Sequence, residues 1–377
     1  MIGVNRHLFE RLESHLPKEN ATVASLKIGS NSIRYIGTND GSVARAIVKN
    51  ASVTETLFAF DKSLILTLDF DKKTYLVITG NIENSTPFLK GIEPVVDPDK
   101  TEQDFKFNPG LATILFANDN FPTSIDAEKS YQLIETIFSS EKEGKSNGKF
   151  DLNELTEFFS DFSIWELGEN FKPVNNNTLL AIYSGYIIEY SKIVNLNFSP
   201  SLNVNLKLII EELPMDLIGG NIYRALTSME WKHTFLELYQ CIEYLFPIPY
   251  LSQLSSNIGY PTLFQKLFEN TESDLGWRPK ENEALSKLLK IIESKSSFTE
   301  MLTTLSTITN QTPNNPDNNI PFVTKHIYNT RNSIAHFRSS LKTDINSEQE
   351  WNMLIEKLCS LIYDLYTHFF NEISSIK

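Results

Sequence analysis

The chain has little cysteine. Cys241 and Cys359 are its only two in 377 residues, too few for a disulfide framework. Each falls in an apolar helical pattern, so both are expected to be buried free thiols. A positive charge balance is also lacking, because formal net charge is −13. A broad Lys/Arg surface for non-specific nucleic-acid binding is thereby excluded, although a small local basic site is not. No apolar run approaches the roughly 20 residues that cross a bilayer. Met1-Ile2-Gly3-Val4-Asn5-Arg6 runs into an amphipathic pattern with no signal-peptide core. A cytoplasmic protein without membrane association is expected.

Several chemical signatures are missing as well. Gly219-Gly220 is a bare pair without the downstream Lys-Ser/Thr of a phosphate loop. No Cys/His cluster has zinc spacing, and no Gly-x-Ser-x-Gly elbow occurs. Asn147-Gly148-Lys149-Phe150-Asp151-Leu152-Asn153-Glu154 resembles the second half of an EF-hand loop. Counting back puts Glu143 at the first ligand position and Lys145 at the third, where calcium needs an oxygen. The segment is expected to be a polar chance match. Neither a metal nor a cofactor is expected.

What is present divides the chain in two. Leu8, Phe9, Leu12 and Leu16 recur at helical spacing within Asn5–Leu16. From Ala24 to about Gly80 the chain turns to short β-branched and aromatic runs, including Ser32–Ile36, Leu64–Leu68 and Tyr75–Thr79. Turn signals at Asn39-Asp40-Gly41 and Asp69-Phe70-Asp71 separate them. Leu111–Phe116 reads as a strand and Ala127–Ser139 as a helix. Thr178–Ile193 fits either a buried helix or two strands. Leu202-Asn203-Val204-Asn205-Leu206-Lys207-Leu208 alternates and reads as a strand.

Beyond Pro214 the patterns are helical. Phe235, Leu238, Tyr239, Ile242, Leu245 and Phe246 form one stripe, stopped by Pro247 and Pro249. Further helices are expected at 260–270, 281–294, 297–308 and from Pro321 to His336. An exposed loop is expected at Asn310–Asn319. Ser347 and Glu350 form a capping-box signature ahead of the stripe Trp351, Leu354, Leu358, Leu361, Leu365 and Phe369. The expected fold class is α+β: an N-terminal domain (1–215) with a small, mainly antiparallel sheet, then an all-helical domain (216–377).

One segment concentrates chemistry. Arg331-Asn332-Ser333-Ile334-Ala335-His336 places a permanent cation, an amide and an imidazole within two helical turns. An Arg holds a phosphate, and a His moves a proton near neutral pH. Together they suffice for metal-free cleavage of RNA. Each also has a structural reading: a surface ion pair for Arg331, and helix-dipole complementation for His336. Five residues on an α-helix turn about 140° around its axis, so the two side chains do not share a face. Their meeting requires a break near Ala335, or a second copy that supplies the facing residue.

The segment Lys325-His326-Ile327-Tyr328-Asn329-Thr330-Arg331-Asn332-Ser333-Ile334-Ala335-His336-Phe337 resembles the signature of HEPN domains, closest to the Apea-like group. That signature is Arg, a polar residue, a short spacer and His. Phe235–Phe246 resembles the first long helix of that family, and the helix from Ser347 its last. The likeness spans roughly 216–377. It implies a helical HEPN bundle that dimerises and a metal-independent ribonuclease of toxin or antiphage systems. Applied to this chain, it makes His336 the general acid/base, has Arg331 hold the scissile phosphate and gives Asn332 an orienting role. We add Arg338 and Lys325 as nearby phosphate contacts. The implied partners are RNA, with tRNA as one candidate, a second copy completing a composite site, and an unidentified trigger read by the N-terminal domain. Some members bind nucleotides, RNA or partners without cleavage.

Overall fold

The computed structural model describes residues 2–14, 35–36, 41–58, 63–80, 88–94, 109–123, 132, 149–150, 155, 157–168, 175–190, 194–258, 266–267, 270–271, 274, 276–335 and 345–376. These form two compact units, Met1–Asn176 and Asn177–Lys377.

In the first unit α1 (Ile2–Ser14) buries Leu8, Phe9 and Leu12 on one face. It is followed by β1 (Tyr35–Ile36), α2 (Gly41–Asn50), β2 (Ser52–Phe58), β3 (Leu64–Phe70), β4 (Lys73–Thr79) and β5 (Ile92–Pro94). Then come α3 (Pro109–Ala117), β6 (Lys149–Phe150) and β7 (Phe162–Leu167). Five strands make one antiparallel sheet in the order β2-β3-β4-β7-β5. The short β1 pairs with β6 in parallel. Asp71 and Lys72 join β3 to β4 with positive φ of 50° and 63°. That is the backbone of a two-residue hairpin turn matched to strand twist. Leu64, Leu66, Leu68 and Val77 enter a core with α1, α3 and a phenylalanine group in which Phe116 stacks on Phe159 at 4.1 Å. Ile65, Leu76 and Ile78 are buried too, so both faces of the central strands are covered.

The second unit is helical. Its elements are α4 (Asn176–Tyr190), α5 (Pro200–Glu212), α6 (Met215–Thr227), α7 (Trp231–Glu243) and α8 (Ile248–Asn257). After these come α9 (Glu281–Ile291), α10 (Ser296–Thr309), α11 (Asn319–Ala335), α12 (Glu348–His368) and α13 (Phe370–Ile376). A single 3-10 turn at Pro316–Asn318 interrupts the polar segment before α11. Helix α7 is central: Phe235, Leu238, Tyr239 and Ile242 are buried where it packs on α6, α11 and α12. Ser347 and Glu350 make the reciprocal hydrogen bonds of a capping box at α12. Trp351, Leu354, Leu358, Leu361, Leu365 and Phe369 are all buried. Cys241 and Cys359 are buried free thiols. The Gly219-Gly220 pair lets α6 approach α4 closely, because a Cβ on Gly219 would lie 2.1 Å from the Asn177 carbonyl oxygen.

The architecture is α+β, with a small antiparallel sheet in the first unit and helices in the second. Three sequence expectations change. Leu111–Phe116 is the core of helix α3, not a strand. It is buried nearly all round, so its run has no polar face to reveal the helical period. Leu202–Leu208 is likewise helical, within α5. Ser199 caps it and Pro200 takes its first turn. Leu202, Leu206, Ile209 and Ile210 are its buried face, and Val204 is 64% exposed. The division between units therefore falls at 176/177, upstream of the expected 215/216. Thr178–Ile193 is helix α4 as far as Tyr190. All but Gln132 of the helix expected at 127–139, most of that expected at 260–270, and Asn147-Gly148 and Asp151–Glu154 of the EF-hand-like run lie outside the described residues. Among the described residues no helix is long and apolar enough to cross a membrane.

Candidate active site

Helix α11 positions the signature. Val323, Ile327 and Thr330 pin one of its faces in the core, which leaves Arg331 and Asn332 half-buried in its last described turn. Arg331 reaches between helices. Its Nη2 donates to Glu243 Oε1 at 3.2 Å and to Glu281 Oε1 at 3.0 Å. Its Nη1 donates to Asn332 Oδ1 at 3.1 Å. One guanidinium thus faces two carboxylates, from α7 and α9, and an amide from its own helix.

The two carboxylates differ in their backbone fields. Glu281 is the first residue of α9, where the helix dipole favours a negative charge. Glu243 is the last residue of α7, where the dipole opposes it. Burial raises the Glu243 carboxyl above the ordinary carboxylate range; Arg331 opposes this, and Glu281 adds to it. Beside them, burial first, and then the charges of Glu243 and Glu281, push the Tyr239 phenol far up. Glu281 Oε2 and Tyr239 Oη are buried and have no hydrogen-bond partner among the described residues. The cluster is a half-buried polar seam with an excess negative charge.

Lys325 stands apart from this seam. It is exposed and lines a cleft with Thr324, Tyr328 and Asn329 of α11 and Asn282, Glu283, Ser286, Lys287 and Lys290 of α9. The cleft adjoins the Arg331 cluster at two points. On α9, Glu281 belongs to the cluster and Asn282 to the cleft. On α11, Tyr328 lines the cleft and stands one turn before Arg331. His336 and Arg338 lie outside the described residues. The structure therefore joins Arg331 to Asn332 and places Lys325 in the neighbouring cleft.

Sequence reasoning gave no role to Glu243, Glu281 or Tyr239. A signal existed in Glu243, a charge that follows buried Tyr239 and Ile242 on the stripe of α7. Glu281 carried no such signal, since an acidic residue opening a helix is common on exposed surfaces. Among the described residues no group of three or more His, Cys, Asp or Glu is placed to hold a metal. Comparison with known proteins returned no matching family model, no match among curated proteins and no match among solved structures.

Proposed function

We propose that this protein is a metal-independent endoribonuclease of the HEPN type, serving a toxin or antiphage defence system. The helical unit would carry the chemistry, and the sheet-containing unit would restrain it or sense a trigger. The observation that carries this reading is the Arg331–Asn332 pair. Asn332 Oδ1 holds the guanidinium at 3.1 Å on the helix that leads into His336.

In the proposed reaction the ribose 2′-hydroxyl attacks the adjacent phosphorus and the 5′-oxygen leaves. His336 takes the hydroxyl proton or protonates the leaving oxygen, and Arg331 stabilises charge on the phosphoryl oxygens. The products are a 2′,3′-cyclic phosphate and a 5′-hydroxyl, and DNA is not cut. A second copy contributes the facing half of a composite site. For Arg331 to act, a phosphate must draw the guanidinium from Glu243 and Glu281, and this competition supplies a restraint on the resting enzyme.

The same ion pairs also favour a second reading. A guanidinium already met by two carboxylates serves equally as a structural tie in a non-catalytic HEPN module that dimerises or binds RNA or nucleotides. One experiment separates the two. Purified full-length protein is incubated with total RNA and tRNA in EDTA, and fragment ends are analysed. Cyclic-phosphate ends lost in His336→Ala support the nuclease. Intact RNA, or cleavage unchanged in His336→Ala, removes it.

A further inference from the structure

We infer that the cleft between α9 and α11 binds a nucleotide unit, with its phosphate on Lys287, Lys290 and Lys325 and its base against Tyr250 or Tyr328. This deepens the nuclease reading by naming where the substrate strand docks, and the cleft rests on observations of its own.

The first is charge. In a chain of net −13, three lysines converge on one cleft. The one acidic group in its lining, Glu283, pairs with Lys280 at 3.1 Å. Lys290 and Lys325 have no carboxylate partner among the described residues. Two cations one turn apart on α9 and a third on α11 create a local positive field in the cleft.

The second is the chemistry of the walls. Tyr250 is half-buried, set edge-on to Trp277 at 5.7 Å and covered by Lys287 Nζ at 3.9 Å from its ring centre. Lys287 also donates to Gln253 Oε1 at 3.3 Å, a second contact that fixes its ammonium at the cleft wall. Tyr328 offers a second half-buried ring on the opposite helix. Aromatic faces beside positioned cations are the means by which proteins hold unpaired bases and their phosphates. Thr324 in the lining is buried, and its hydroxyl oxygen has no hydrogen-bond partner among the described residues. The cavity of about 630 Å³ falls within the range of small-ligand sites, and a nucleoside phosphate fits that scale.

The third is position. The cleft lies beside the Arg331 cluster: its Asn282 follows Glu281 on α9, and its Tyr328 stands one turn before Arg331 on α11. A strand held by the lysines would therefore extend toward Arg331.

The same chemistry comes from a free nucleotide or from a nucleotide within a strand, so the test uses both. A fluorescent 2′-O-methyl RNA 12-mer, which has no 2′-hydroxyl to attack, is titrated against full-length protein in EDTA. ATP and tripolyphosphate serve as competitors. The 12-mer is expected to bind, with affinity falling as salt rises. Lys287→Gln/Lys290→Gln should weaken it roughly tenfold and flatten the salt dependence. Displacement of the 12-mer by ATP at lower concentration than by tripolyphosphate, which carries the same run of phosphates without a base, shows recognition of base plus phosphate. Binding of ATP without the 12-mer identifies a free nucleotide as the occupant. The inference is overturned if neither probe binds, if the double variant binds as tightly as wild type, or if tripolyphosphate competes as well as ATP. The nuclease reading fails separately: lysine-dependent binding with no RNA cleavage sinks that reading and leaves the cleft. Cleavage whose KM is indifferent to the lysines does the reverse.

Discussion

Arg331 Nη2 and Glu281 Oε1 lie 3.0 Å apart, joining α11 to the first residue of α9. Glu243 Oε1 completes the contact at 3.2 Å from α7. Three helices that share no local sequence meet on one guanidinium. Because the two acids are not equivalent, the cluster gives graded expectations.

Removing the cation should cost far more than removing one acid. Arg331→Ala leaves two carboxylates facing each other in a half-buried seam. Full burial of an uncompensated charge costs several kcal/mol; partial exposure of Glu281 reduces this to roughly 2–3 kcal/mol. Glu243→Gln keeps the Glu281 pair and removes the carboxylate that burial and the helix dipole disfavour, so under about 1 kcal/mol is expected. Urea denaturation of the two variants measures the difference, and equal losses would refute this account of the cluster.

The Glu243 carboxyl sets a direction for pH. Its folded pKa is raised, chiefly by burial, so the folded state binds the proton more tightly than the unfolded chain. The resulting stabilisation is fully present below the unfolded carboxylate pKa and is lost as pH rises through the folded value. Wild type should therefore lose stability relative to Glu243→Gln as pH climbs from about 4 to about 7. Melting temperatures across that window test it; a gap that stays constant or narrows with pH contradicts the assigned direction.

For the nuclease, His336→Ala should lower RNA cleavage in EDTA by roughly a hundred- to ten-thousand-fold, the usual reach of general acid–base catalysis. Arg331→Lys keeps a charge and loses the forked geometry, so it should impair turnover more than RNA binding. Single-turnover rates and binding curves separate these effects. A Lys variant with normal turnover would count against a phosphate role for Arg331.

Gly219→Ala tests the packing of α6 on α4. The added Cβ would sit 2.1 Å from the Asn177 carbonyl oxygen and 2.9 Å from Ala181 Cβ, both on α4. The helices must separate, at a cost of about 3 kcal/mol. Gly276 has φ of +60° with nothing near its Cβ, so Gly276→Ala carries backbone strain alone, about 1 kcal/mol. Thermal denaturation should rank the pair in that order.

Some of this was legible from the residues. The β3–β4 strands announced themselves through β-branched runs around a polar turn, although the turn lies at Asp71-Lys72 rather than 69–71. Helix α11 was expected from Pro321 as a first-turn residue. Helices α3 and α5 were not. In α3 the apolar run has no polar face; in α5 the partly exposed Val204 and Leu208 complete a false alternation with buried Leu202 and Leu206. A window of seven residues accommodates both periods, and only the packing partner decides between them.

The sequence by itself determined what is encoded within a few residues along one chain segment. That includes the capping box at Ser347, the buried stripe of α12, the strand-and-turn pattern of the sheet, and the order Arg331, Asn332, His336. Local hydrogen bonds and helical spacing suffice for these. Only the tertiary structure decided that Arg331 would meet Glu243 and Glu281, 88 and 50 residues away, and that three lysines would line one cleft. Such contacts depend on how helices pack, and side chains that look ordinary in sequence acquire their charge environment only once neighbouring helices exclude water around them.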